Sequence, residues 1–130
     1  MNQATKPSKF TIPELKAGEI YGGAFIRPDG TGHHTIILDG DNDDADWQTQ
    51  MDWAKSIGGD LPDRVEQSMF HKHLPDRFKK DWYWSSEQRS AGSAWFQSFS
   101  DGSQDWYTTN FKCRAVAVRR VPFNTSAFIN

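Results

Sequence analysis

The chain is almost without cysteine. Cys113 stands alone in 130 residues, so no intrachain disulfide can form and a disulfide-stapled scaffold is excluded. A lone thiol fits a reducing compartment, or at least no need of oxidation. Basic excess is missing too. The net charge is −2, which gives no electrostatic case for direct nucleic-acid binding. No apolar run approaches the roughly 20 residues that a membrane-spanning helix needs. The N-terminus lacks the apolar stretch of a signal peptide. The reading is a soluble protein, not exported by the usual route and not held in a membrane.

Large aromatic rings are abundant. Hydrophobic residues make up only 36% of the chain, yet 14% are aromatic, with six Trp and nine Phe. A disordered chain of this polarity rarely carries so many rings, whereas a small core is economically built from them. At this length, one domain is expected.

The pattern along the chain predicts an α+β order. Glu19 to Arg27 reads as a strand, Pro28-Asp29-Gly30 as a turn, and His34 to Leu38 as the return strand. Asp46 is the expected N-cap of a first helix, with Trp47, Met51, Ala54 and Ile57 on its inner face and Gly58-Gly59 ending it. Asp63 and Glu66 have capping-box spacing for a second helix, with Val65, Met69 and Phe70 expected inward. Trp82-Tyr83-Trp84 reads as a central strand and Trp95 to Phe99 as another. Asp101-Gly102 turns the chain back into Trp106 to Thr109. Arg114 to Val121 is the last strand, with Val116 and Val118 on one face.

These segments, taken in order, resemble a known family. Gly18-Glu19-Ile20-Tyr21-Gly22-Gly23 is the first, followed by the run from Gly58-Gly59-Asp60-Leu61-Pro62-Asp63 through Arg64-Val65-Glu66-Gln67. Trp82-Tyr83-Trp84-Ser85-Ser86, Ala94-Trp95-Phe96-Gln97-Ser98-Phe99 with Asp101-Gly102-Ser103-Gln104, and Arg114-Ala115-Val116-Ala117-Val118-Arg119-Arg120 complete the set. Together they resemble small phage and prophage proteins carrying a domain of unknown function, similar to the C-terminal domain of Legionella collagen-like adhesins. The likeness spans Gly18 to Val121. It implies a C-type-lectin-like fold, two helices on a small twisted antiparallel sheet with the termini close together. On that reading, residues 1–17 are an N-terminal arm, 18–121 the lectin-like domain and 122–130 a tail. The chain lacks the Glu-Pro-Asn or Gln-Pro-Asp triplet, the Trp-Asn-Asp motif and the disulfides of calcium-dependent lectins, so calcium-dependent sugar binding does not carry over. It also lacks the paired cysteines of formylglycine-generating oxidases, which share a lectin-like core.

Several residue groups bear on chemistry. Asp39, Asp41 and Asp43 occupy the first, third and fifth places of an EF-hand-like loop. Asp44 replaces the loop glycine and Gln50 the closing glutamate, so the run reads as a solvated, helix-capping loop with at most weak calcium affinity. The run Lys112, Arg114, Arg119, Arg120 likewise reads as a solvated face. His33 and His34 point to opposite faces of a strand, and His71 and His73 nearly so on a helix, which makes a poor zinc set. Cys113 reads as a small buried thiol with no base beside it, and Ser85 and Ser86 lack a nucleophile elbow. No catalytic residue and no cofactor is expected.

Binding is the remaining reading. Trp106, Tyr107 and Asn110 follow the Asp101–Gln104 turn, and Glu87, Gln88 and Arg89 lie in the expected loop after the aromatic strand. Of the adjacent Trp106 and Tyr107, one is expected buried and one exposed as an anchor or a sugar-stacking platform. Phe10, Ile12, Phe123, Phe128 and Ile129 are apolar residues in polar ends, consistent with docking on a neighbour as a homo-oligomer. The expectation is a non-enzymatic protein-interaction domain in the virion or the host bacterial cytoplasm. Its partner would be a virion or host protein, for example in inhibition of a bacterial defence such as CRISPR. A carbohydrate- or receptor-binding module, helped by calcium, is the alternative.

Overall fold

The computed structural model describes residues 11–124, arranged as an α+β domain. Strands β1 (Ile20–Ile26) and β2 (Thr31–Ile37) form a hairpin around Pro28-Asp29-Gly30. Gly30 takes a left-handed φ of 90°, while Asp29 accepts hydrogen bonds from the Thr31 amide and hydroxyl. This local turn chemistry is what the sequence required. A short strand, β3 (Asn42–Ala45), lies inside the acidic run that the sequence marked as a loop.

Helix α1 (Trp47–Ser56) starts where Asp46 accepts from the Thr49 amide at 2.8 Å. Its buried positions are Trp47, Gln50 and Ala54, and Ile57 lies exposed beyond its end. Helix α2 (Arg64–His73) opens with the full capping box, Asp63 and Glu66 bonding reciprocally. Its inward face is Glu66, Gln67 and Phe70. Val65, expected inside, is 65% exposed.

The later strands are β4 (Trp82–Ser90), β5 (Ser93–Ser98), β6 (Gln104–Thr108), β7 (Cys113–Ala115) and β8 (Val118–Asn124). They correct the sequence reading in three ways. The last strand is two strands, which part at Val116-Ala117 and enter different sheets. β8 also runs on through Pro122 and Phe123, expected as tail. And the sheets are two and partly mixed: an antiparallel β1-β2-β8, and β3-β7-β4-β5-β6 in which β4 and β7 run parallel. Phe10, Phe128 and Ile129 lie outside the described residues, and Ile12 is exposed.

Alternation builds the core. Trp84 joins Leu38, Trp47, Leu61, Phe96, Cys113 and Ala115, whereas Tyr83 points the other way to Phe70, Phe78, Phe99 and Val116. β4 lies between these two clusters, as period-2 side chains require.

A carboxylate is also buried. Glu66 is 0% exposed and accepts from Arg120 Nη2 (2.7 Å) and Nε (2.9 Å), Thr35 Oγ1 (2.5 Å) and the Asp63 amide (2.8 Å). His33 Nε2 lies 3.0 Å away. Arg120 also donates to Asp60 and to the Leu61 carbonyl. Burial pushes the Glu66 carboxyl up, but Arg120, through hydrogen bonds and charge, with Thr35 and the Asp63 amide, outweighs it and holds the carboxyl below its ordinary value.

Truncating Glu66→Ala removes the buried half of the pair, leaves Arg120 to Asp60, and should cost about 3–5 kcal/mol in chemical denaturation. A carboxyl depressed in the fold gives stability that is complete above its unfolded value, near 4.5, and lost as pH falls through the folded value. Glu66→Gln should therefore flatten the fall of melting temperature on acidification, and an unchanged acid limb would contradict this account.

Candidate functional site

Among the described residues β6 is one edge of the five-stranded sheet, and it carries the candidates Trp106 and Tyr107. Trp106 and Tyr107 point to opposite faces, as neighbours on a strand must, yet both are exposed, at 41% and 46%. The expectation that one would be buried fails because each ring on this edge strand is only partly covered, Trp106 by Arg89 and Tyr107 by Phe111. Glu87, Gln88 and Arg89 lie within β4, not in a loop after it. That strand continues past the aromatic triplet, with irregular register between Trp84 and Ser90.

On one face a row of stacked side chains crosses the sheet. Trp95 on β5 and Trp106 on β6 are cross-strand partners and so share a face. The Arg64 guanidinium lies 3.6 Å from the Trp95 ring centre, and that of Arg89 lies 4.0 Å from the Trp106 ring. Arg64 Nε also donates to Gln104 Oε1 at 3.0 Å. Gln104 in turn donates to the Arg64 carbonyl and to Gln97. Glu87 accepts from the Arg64 amide at 2.8 Å, tying the start of α2 to β4. Neither Arg64 nor Arg89 is in an ion pair with a carboxylate among the described residues.

The other candidates sit elsewhere. Tyr107 stacks on Phe111 on the opposite face, centroids 4.3 Å apart, near Trp82, which lies over Phe96. Gln88 and Asn110 line a cavity of about 270 Å³ beside the start of α1, with Asp46, Trp47 and Thr109. There Gln88 is spent on the Ser90 and Ala91 carbonyls, and Asn110 accepts from the Thr108 hydroxyl. The structure thus brings Arg89 and Trp106 together, links Glu87 to them through Arg64, and sets Tyr107, Gln88 and Asn110 apart.

Sequence reasoning missed Arg64 and Trp95. Trp95 was within reach, since a hairpin centred between Ser100 and Asp101 pairs position 95 with 106. Arg64 was not, because its contact depends on how α2 docks.

Parts of the charged runs are ties, while Asp39, Asp44 and Lys112 are exposed as a solvated face would have them. Arg114 Nε donates to Asp41 at 2.9 Å and Nη2 to Asp43 at 3.1 Å. Asp41 also accepts from the Tyr83 hydroxyl at 2.5 Å. Burial, and the bond to Asp41, push the Tyr83 phenol up to about 12. Arg119 donates to both oxygens of Glu19. The calcium candidates Asp39, Asp41 and Asp43 do not converge. Asp41 and Asp43 turn to Arg114, and among the described residues no group of three or more His, Cys, Asp or Glu side chains is arranged to hold a metal ion. His33 faces Glu66, while His34 accepts or donates at the Tyr21 hydroxyl on the other side, as adjacent strand positions should. Cys113 is 1% exposed. Burial, with Asp44 and Asp81 adding to it, pushes its thiol well above the ordinary value, the opposite of an activated nucleophile.

No protein-family model matches the chain, and no curated protein matches it in sequence. Among the described residues no helix is long and apolar enough to cross a membrane.

Two measurements check the site. Millimolar calcium should leave the melting temperature unchanged, because binding would have to break the Arg114 ion pairs first. Trp106→Ala should cost less than about 1 kcal/mol, since the ring is exposed, whereas Trp84→Ala should cost about 3–5 kcal/mol. Comparable losses for the two would mean that Trp106 is part of the core.

Proposed function

We propose that the chain is a non-catalytic protein-binding domain whose contact surface is the row Arg64, Trp95, Trp106, Arg89. One observation carries the reading: two guanidiniums lie on two cross-strand indoles and neither is neutralised by a carboxylate among the described residues. Stacking holds an arginine extended while leaving its edge donors free, so a partner's carboxylate meets a group already ordered. Tryptophan and arginine are also the side chains that most often dominate protein interfaces. A sugar platform needs an open ring face, and here each indole already carries a guanidinium, which favours protein over glycan.

The lectin-like arrangement belongs to the same proposal. It is supported by the order of elements: first and last strands flank β2 in one sheet, two helices follow, and the later strands form a second sheet. The Arg119–Glu19 pair, which ties the last strand to the first, fits ends that lie close together. The buried, unactivated Cys113 supports a role without catalysis. The family resemblance supplies the setting, a phage or prophage protein acting on a virion or host protein.

The test is paired capture from virion preparations and from host lysate, using the wild-type chain and Arg89→Glu. A protein retained by the first and lost by the second, with melting temperature unchanged, is the expected outcome. Binding to a glycan array that a chelator abolishes, with no such protein, would replace this reading by the carbohydrate one.

A further inference from the structure

The strongest unassigned feature lies on the other sheet, away from the arginine–tryptophan row. β1 is the edge of the β1-β2-β8 sheet, and among the described residues no strand pairs with its outer side. Its hydrogen-bonding phase can be read from the hairpin. The Arg27 amide donates to the Thr31 carbonyl at 2.7 Å, and the register pairs Phe25 with His33 and Gly23 with Thr35. Directly bonded pairs recur at every second residue of an antiparallel ladder. The N–H and C=O groups of Ala24 and Ile26 therefore point away from β2, toward open space. The register shift between Tyr21 and Gly23 ends this straight edge on one side, and the Pro28-Asp29-Gly30 turn ends it on the other.

A groove of about 410 Å³ follows the same edge, between it and the first turn of α2. Phe25, Ile26 and Val65 make it apolar, and Ile26 and Val65 are 58% and 65% exposed. Single exposed apolar residues are ordinary, but two across a groove beside unpaired backbone are a recognition arrangement. Arg27 lines one end. Its guanidinium is steadied by the Thr31 hydroxyl and by His33, and no carboxylate bonds it among the described residues. Asp29 is close enough to feel its charge, but turns its oxygen to Thr31.

We propose that this edge binds an extended segment of another protein. The segment adds to β1 as a fourth strand, bonding Ala24 and Ile26, and sets apolar side chains against Phe25 and Val65 on one face and against Ile26 on the other. It brings a carboxylate to Arg27. Only an extended chain presents donors and acceptors at the spacing the edge requires. The charge at Arg27 argues against a second copy pairing edge to edge, because the Ile20–Ile26 run carries no carboxylate.

The test uses the full chain and a synthetic acetylated peptide of alternating threonine and valine that ends in glutamate. Binding should slow hydrogen exchange at the Ala24 and Ile26 amides, and N-methylating the peptide at alternate residues should abolish it. Val65→Asp, at a position exposed enough to leave the fold intact, should weaken binding by more than about tenfold. Arg27→Gln should weaken the glutamate-ended peptide and leave its glutamine-ended counterpart unaffected. No binding, or binding without protection of those two amides, would overturn the proposal. So would protection that grows with the protein's own concentration and needs no peptide, since that would assign the edge to self-pairing.

Discussion

The contact between Glu66 and Arg120 fixes more of this molecule than any other. A carboxylate with no exposed surface is tolerated only when its oxygens are filled, and here three segments fill them: the α2 cap at Asp63, β2 through Thr35 and His33, and β8 through Arg120, whose remaining donors bond the Asp60-Leu61 stretch. Asp60 is itself bridged to Val118 by paired backbone bonds. Helix, sheet and connecting segment are thereby held in one arrangement, and removing Arg120 leaves the buried Glu66 carboxylate without its guanidinium.

That constraint sets the phase of α2, and with it the surface. Successive helical residues turn by about 100°. With Glu66 and Gln67 directed inward, Val65 must face out, toward the β1 groove, and Arg64 must reach across to Trp95. Both surface features follow from burying a residue that a hydrophobic pattern would leave in solvent. Gln67 supports the same phase by donating to the Tyr83 and Trp84 carbonyls of β4.

What the sequence revealed was local. The caps at Asp46 and Asp63, the turn at Pro28-Asp29-Gly30, the glycine stop after α1 and the aromatic core of β4 all depend on residues within a few positions of one another, and all are present. What it concealed was pairing at a distance. Asp41 and Arg114 are 73 residues apart, Glu19 and Arg119 are 100 apart, and nothing near either partner announces the other. The acidic run therefore read as a solvated loop and the basic run as a solvated face, although each neutralises part of the other. The break between β7 and β8 was hidden for a related reason. Val116 and Val118 keep the alternation of an uninterrupted strand while the backbone changes sheets, with Ala117 accepting from Leu38. Of the candidate site, Trp106 and Arg89 were legible as residues, but their stacking was not.

The arginines divide into ties within the fold and groups on its surface. Arg114, Arg119 and Arg120 each lie on carboxylates and join segments distant in sequence. Arg77 donates to the Leu38 and Gly40 carbonyls and closes the acidic run against the body. Arg64 and Arg89 instead rest on indoles, and Arg27 on a hydroxyl and an imidazole, so among the described residues these three are ordered without a carboxylate. A guanidinium used only to stabilise a fold gains most from a carboxylate, and the chain has carboxylates enough for its net charge to be negative. Among the described residues these three arginines are positioned without a carboxylate, two on the edge-strand face and one at the end of the β1 groove, and on them both proposed binding surfaces rest.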